Sequence, residues 1–322
     1  MKMLIEKTLR SLVIIGLCGG IIACWTSGSK ASRNSDTAGA ATQYPIESPT
    51  PEPKNSVSKP QSNNQNSEQS NKKMTEKNAF RANLPPGFSE PDDDAGRLLL
   101  REYGAVFVCR GGATPPTRVV FRDENEVTAF QNSLKSEKIS LGGFTLELQS
   151  AAVAALKLAV NEAEKSGLRI SPRGADSARR SYSQTVTLWA SRVNPGLRYW
   201  SEKGRISKED AERIRALSPY EQVPEILALE KKEIFFAKDF SKSIIYSVAP
   251  PGTSQHLSML ALDVAEHDNA RVRGILAKYG WFQTVVSDLP HFTYLGVSES
   301  ELPSLGLKKV ENGGRVFWLP DI

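Results

Sequence analysis

The sequence predicts an α+β fold: a small, mostly antiparallel sheet flanked by helices. Two observations carry this. Short apolar runs bounded by Gly and Pro intermingle with longer amphipathic stretches. They do not alternate regularly as strand–helix–strand, so a parallel sheet built from βαβ units is not expected.

Ala105–Cys109 and Arg118–Phe121 read as strands, separated by the turn-rich Gly-Gly-Ala-Thr-Pro-Pro. Glu124–Leu134 reads as a short helix and Phe144–Leu148 as a strand. Val153, Leu156, Val160 and Ala163 recur at helical spacing, and Gly167 supplies a stop. Arg169–Ser171 reads as a short strand. Ser183–Arg192 reads as a helix that Asn194-Pro195-Gly196 breaks. Lys208–Leu217 and Pro224–Phe236 are charged, amphipathic helix candidates. Ile244–Val248 reads as a strand before Pro250-Pro251-Gly252. Asn269–Tyr279 reads as a helix ended by Gly280, and Trp281–Val286 and Phe292–Leu295 as strands. No internal repeat is visible.

The 322 residues carry 41 Lys+Arg against 36 Asp+Glu. The pI near 9.0 invites a nucleic-acid reading. The distribution of charge removes it: residues 1–25 carry +2, residues 26–85 carry +3, and residues 86–322 are neutral. Met1–Arg10 is short and positive, Ser11–Ile22 is almost wholly apolar, and Ala23-Cys24 follows, the order of a secretory signal. The apolar run is shorter than the ~20 residues that span a bilayer. Ile21-Ile22-Ala23-Cys24 resembles a bacterial lipobox, with Cys24 as the lipidated residue; Ile at the two upstream positions departs from the usual Leu and small residue. A simple signal without lipid is the alternative. The expectation is an exported protein of the cell envelope, held to a membrane by lipid and facing the periplasm or the cell exterior.

Residues 26–85 are rich in Ser, Thr, Asn, Gln, Pro, Lys and Glu, with Tyr44 and Phe80 as the only aromatics. Such a segment cannot bury enough apolar surface to offset its ordering entropy. The chain therefore divides into a signal with lipobox (1–24), a disordered linker (25–85), an accessory lobe (86–145) and a core (146–322). With Cys18 leaving in the signal and Cys24 acylated, only Cys109 remains and no intrachain disulfide is available. Cys109 reads as a small buried strand residue.

The chain has three histidines. His256 lies in Ser254-Gln255-His256-Leu257-Ser258-Met259-Leu260-Ala261-Leu262-Asp263, and His291 in Asp288-Leu289-Pro290-His291-Phe292. Two imidazoles and one carboxylate form a common catalytic zinc set with a fourth position for water. A second carboxylate nearby can serve as general base. His267 reads as a solvated loop residue.

Together these residues resemble the zinc D-Ala-D-Ala carboxypeptidases of the VanY type and the related endolysin peptidases of the LAS superfamily. That family shows Ser-x-His-x-x-Gly-x-Ala-x-Asp, then an acidic residue three before a second His; Ser254, His256, Ala261, Asp263, Asp288 and His291 match it. Ser177-Ala178-Arg179-Arg180-Ser181-Tyr182 fits the family's upstream Ser-x-x-Arg-Ser-Tyr segment. The resemblance covers roughly 145–296 and implies the LAS metallopeptidase fold. It implies one Zn2+ ion held by His256, Asp263 and His291, with Asp288 as general base. Arg180 would hold the substrate carboxylate or stabilise the oxyanion, with Arg173 or Arg179 as alternatives for the carboxylate. Ser254, Ser181 and Gln184 would bind substrate or orient the ligands.

Two positions depart from the pattern. Met259 stands where the family has Gly, implying changed local packing or a narrower cleft. Asp288 stands where the typical carboxypeptidase has Glu, and the endolysin branch uses Asp in a similar Asp-x-Pro-His-Phe context. The implied activity is hydrolysis of peptidoglycan stem peptides, as a D-Ala-D-Ala carboxypeptidase or as an L-Ala-D-Glu-type or other endopeptidase. A non-catalytic cell-wall binding lipoprotein on the same fold is the alternative of another class. Nucleic acid is not an expected partner. The long, largely helical stretch between Arg180 and Ser254 would wall the cleft and set substrate choice.

Overall fold

The computed structural model describes residues 79–322. The signal, Cys24 and most of the linker lie outside them. Among the described residues, beside a helical turn at 79–82, seven helices are α1 (Asp94–Tyr103), α2 (Glu124–Asn132), α3 (Ser150–Lys165), α4 (Tyr182–Glu202), α5 (Lys208–Ala216), α6 (Pro219–Glu230) and α7 (Ala270–Lys278). Seven strands are β1 (Ser136–Leu141), β2 (Phe144–Gln149), β3 (Ala261–Asp263), β4 (Trp281–Phe282), β5 (His291–Tyr294), β6 (Leu307–Asn312) and β7 (Arg315–Pro320). The fold is α+β, and every strand pairing is antiparallel. Among the described residues no helix is long and apolar enough to cross a membrane.

Local chemistry sets the helix starts. Asp93, Asp123, Ser207 and Asn269 accept hydrogen bonds from backbone N–H groups of the first turns of α1, α2, α5 and α7. Reciprocal capping boxes, Ser181 with Gln184 and Ser218 with Glu221, start α4 and α6. The central sheet has the order β3-β5-β4, between two outlying hairpins, β1-β2 and β6-β7. One hydrophobic core draws on residues from Phe80 to Trp318, including Leu99, Phe107, Leu156, Trp189, Phe236 and Phe292.

Phe80 corrects the linker boundary. It lies in a helical turn at 79–82 and is fully buried, so residues 79–85 belong to the folded unit. The run Ala105–Cys109 is not a strand: Gly104–Val108 is a 3₁₀ helix with every residue buried. A continuous apolar run carries no periodicity, so burial on all sides reads alike for strand and helix. Arg118–Phe121 makes one isolated parallel bridge, Ser89 with Arg118, and Ile244–Tyr246 is a 3₁₀ turn. Arg169–Ser171 forms no strand; the adjacent Pro172 bridges Val264. The strand at Trp281 ends at Phe282.

Asn194-Pro195-Gly196 does not break α4, which runs on to Glu202. An interior proline costs about 3 kcal/mol. Burial of Val193, Gly196 and Leu197 offsets it. Gly196 lets the Phe236 ring pack against the helix backbone, since a Cβ there would lie 2.4 Å from Phe236 Cδ1. The second helix of the insert runs Pro219–Glu230 rather than Pro224–Phe236, because Ser218 caps it. Hairpin β6-β7, strand β1 and helix α1 were not read from the sequence. Cys109 is buried, and burial pushes its thiol up to about 12.

Gly252 anchors the loop that leads into the His256 segment. Its φ is +78°, and a Cβ would sit 1.9 Å from the Phe121 carbonyl oxygen. Phe121 N–H donates to the Gly252 carbonyl at 3.0 Å, so neither backbone can retreat freely. Gly252→Ala is expected to lower unfolding free energy by roughly 3 kcal/mol or more, measured by urea denaturation.

Candidate metal centre

The register of β3 on β5 builds the site. Asp263 pairs directly with His291, Leu262 with Phe292, and Ala261 with Thr293. Directly paired residues share a face and successive residues alternate. Asp263, His291 and Thr293 therefore share one face, while Leu262 and Phe292 enter the core on the other. His256 arrives from the 3₁₀ turn Gln255–Ser258. Met259 ends that turn in the left-handed region, at φ 59° and ψ 29°, and hands the chain to β3. This explains the expected Gly: the position needs a positive φ, which costs a side-chain residue about 1–2 kcal/mol. Met259 carries that strain with its side chain buried.

One ligand atom from each of His256, Asp263 and His291 lies within 4.8 Å of the others. Asp263 Oδ1 stands 3.2 Å from His256 Nε2 and 3.3 Å from His291 Nδ1. Hydrogen bonds fix which nitrogen is free. His256 Nδ1 is 2.7 Å from the Ala178 carbonyl, an acceptor only, so Nδ1 carries the proton and Nε2 keeps its lone pair. His291 Nε2 is 2.8 Å from Gln255 Oε1. The Gln255 amide is oriented by its Nε2 donating to the Tyr103 carbonyl at 2.8 Å, so Oε1 faces the imidazole. His291 then holds its proton on Nε2 and offers Nδ1.

Burial, opposed by the Asp263 carboxylate, holds the His256 pKa below its ordinary value. Burial alone would raise the Asp263 carboxyl, but a proton on either imidazole opposes this and lowers it. With both imidazoles neutral, the Arg180 guanidinium donating to Oδ2 is the cation that favours its ionised form. Neutral imidazole beside ionised carboxylate is the protonation state that metal ligands need. His256 Nε2 and Asp263 Oδ1 are buried and have no hydrogen-bond partner. Acceptor lone pairs facing each other at such distances repel unless a cation lies between them. The donor set, two nitrogens and a carboxylate oxygen, fits zinc.

Arg180 lies against this centre. Its Nη2 donates to Asp263 Oδ2 at 2.7 Å, and its Nε to the Asp176 carbonyl at 3.0 Å. Its backbone segment is clamped to the ligand-bearing chain. Asp263 N–H donates to the Ser177 carbonyl at 2.8 Å, and Ala265 N–H to the Ser171 carbonyl at 2.8 Å. Arg179 points elsewhere, to Gln131 Oε1 and Glu147 Oε2, each at 2.8 Å. Arg173 is exposed and does not line the cleft. Asp288 is exposed in the turn before β5 and lines the same cleft as Arg180, Ser254, His256 and His291. Ser181 and Gln184 are occupied in the α4 capping box, and Gln184 also lines a shallow depression beside Arg180. His267 stands apart, its carbonyl held by Arg273 and Arg315 at 3.0 Å each.

Sequence reasoning missed Gln255. Its Oε1 meets His291 and also receives the Thr293 hydroxyl, with Thr284 at 3.2 Å. Thr293 lies two residues beyond His291 and Thr284 is its hydroxyl partner at 2.6 Å. The only signal was position: Gln255 sits between Ser254 and His256.

No protein-family model and no curated protein sequence matches the chain. Two solved structures bear a distant likeness. One is a mutant of the vancomycin resistance D,D-pentapeptidase VanY from a VanB-type cassette, in complex with Zn(II). It is 16% identical over 51% of this chain and 79% of that one, with a TM-score of 0.30. The other is the LdcB LD-carboxypeptidase, 18% identical over 49% of this chain and 64% of that one, with a TM-score of 0.28. Likenesses of this size leave the functional reading to the residues of the site.

Gln255→Ala removes the acceptor that fixes the His291 tautomer. Zinc affinity is expected to fall about 10- to 100-fold in competition with a chromophoric chelator. The zinc-free chain is expected to melt at a lower temperature as well, since the Tyr103 carbonyl and the Thr284 and Thr293 hydroxyls lose a buried partner.

Proposed function

We propose that this chain is a zinc-dependent hydrolase of peptidoglycan stem peptides, acting most simply as a D-Ala-D-Ala carboxypeptidase. The observation that supports this reading best is the convergence of two imidazole nitrogens and one carboxylate oxygen, with unpartnered buried atoms, beside an exposed carboxylate and a fixed guanidinium. His256, Asp263 and His291 would hold the ion. When bound, zinc acidifies water and polarises the scissile carbonyl.

The remaining work falls to the chain. Asp288 is exposed at the cleft, where its carboxylate takes a proton from the attacking water and returns it to the leaving amine. Arg180 is held on two sides and half-buried, so its guanidinium favours the negative charge that develops on the carbonyl oxygen without reorganising. His256 and His291 keep their second nitrogens engaged by acceptors, which holds both rings in the ligand orientation. Leu188 and Ile245 supply apolar wall to the cleft of about 250 Å³.

An endopeptidase is the second reading, favoured by Asp288 and by a cleft that continues along α4 to Arg192. The retention of all three ligand residues and of an acidic residue at 288 weighs against a purely binding protein. Export with lipid on Cys24 completes the proposal, since it delivers the domain to the compartment that holds peptidoglycan.

The zinc-loaded domain is expected to release one alanine per stem pentapeptide, read by mass spectrometry of the products. Asp288→Asn is expected to lose at least about 100-fold in kcat with zinc retained. Full activity in both Asp288→Asn and His256→Ala would refute the assignment, and cleavage inside the stem would replace the carboxypeptidase by the endopeptidase. Separately, labelled fatty acid is expected to enter the wild-type chain in cells and to be absent from Cys24→Ala. A wild-type chain without label would overturn the anchor.

A further inference from the structure

We infer that Arg192 forms a second anion subsite of the cleft, which binds a free carboxylate of the peptide substrate away from the scissile bond. This rests on the peptidase reading and adds to it the substrate class, a peptide with a carboxylate remote from the metal. Thr185, Leu188 and Arg192 lie on one face of α4 and all line the cleft that contains the metal ligands. At 1.5 Å per residue, Arg192 stands about 15 Å along α4 from Tyr182, which directly follows Arg180 and Ser181. The two guanidiniums therefore serve different reaches of one groove.

Their partners differ as well. Arg180 is already paired with the Asp263 carboxylate at 2.7 Å. Arg192 has no carboxylate partner among the described residues. Its Nε donates to Ser247 Oγ and its Nη1 to Ser191 Oγ, both at 2.9 Å. A guanidinium has five N–H donors, so three remain. Half-buried and without a carboxylate partner among the described residues, they suit a bidentate carboxylate.

The mount is rigid. Ser247 follows the 3₁₀ turn Ile244–Tyr246. The buried Glu230 carboxylate accepts from Ile244 N–H at 2.7 Å and from Phe236 N–H at 3.0 Å. The buried Tyr103 hydroxyl donates to the Ile245 carbonyl at 2.7 Å. Leu188 and Tyr246, 40% and 44% exposed, supply apolar surface for the chain between the two charged positions. Arg192 is thus a specificity residue for an acidic peptide, distinct from Arg180 at the reacting centre.

The test is binding to the metal-free full chain, measured by calorimetry, with hydrolysis by the zinc-loaded chain measured apart. Three forms of one stem pentapeptide are compared: unmodified, with its internal carboxylate amidated, and with its C-terminal carboxylate amidated. Wild type is expected to bind the unmodified peptide about tenfold tighter than the internal amide. An Arg192-dependent preference for the C-terminal carboxylate instead would overturn the placement away from the scissile bond. Arg192→Gln is expected to erase that difference, and Arg192→Lys to keep part of it. Equal affinity of wild type for all three peptides, or an undiminished preference in Arg192→Gln, would overturn the subsite. A preference that depends on Arg192 without any hydrolysis by the zinc-loaded chain would uphold the subsite and sink the peptidase reading.

Discussion

Asp263 and His291 face each other as directly paired residues of β3 and β5, and the rest of the site is built outward from that register. The pairing gives both side chains one face and a short separation, and it sends Leu262 and Phe292 to the opposite, buried face. A slip of β3 by one residue would turn its faces over, placing Leu262 at the candidate metal site and the Asp263 carboxylate in the core. The hydrophobic requirement and the chemical requirement thus select the same register. His256 needs a different device, because it reaches the centre from a turn. The left-handed Met259 reverses the chain between His256 and Asp263, and the fold carries that strain where the Leu260–Leu262 segment is packed.

The second constraint is protonation. Neither imidazole is left to choose its tautomer, since each has one nitrogen committed to an oxygen acceptor. The acceptors come from distant parts of the chain. Ala178 belongs to the segment that also carries Arg180, and Gln255 is oriented by the carbonyl of Tyr103. Residues 86–145 consequently contribute to the centre through Tyr103, which also lines the cleft. Buried polar networks of this kind act as units, because any member left unpaired costs free energy.

The centre was legible in the sequence because metal ligands are few in kind and their types are scarce in this chain. Three histidines, two of them in otherwise apolar segments that also carry an aspartate, left little choice. The amphipathic helices were legible for a related reason: α2, α3 and α7 present an apolar stripe, and α2 and α7 a polar cap at the start. Features decided by tertiary contact were not. Gly104–Val108 is buried on every side, so its pattern has no period to read. Pro195 and Gly196 look like a break until Phe236 is packed against them. Strand β1 is largely exposed and β6 polar, so neither offers the apolar run that marks a strand. Gln255 occupies a position whose chemistry depends wholly on what lies opposite it in space. Arg192 lacks a motif altogether, and only the wall formed by Ser247 gives it a setting.

X-ray absorption at the zinc edge of the purified chain tests the centre most directly. Ligation by His256, Asp263 and His291 predicts one zinc per chain, with two imidazole nitrogens and light oxygen donors at about 2.0–2.2 Å and no sulfur. It also predicts that the imidazole signal halves in any zinc retained by His291→Ala. A chain that takes up no zinc, or a spectrum dominated by sulfur, would contradict it.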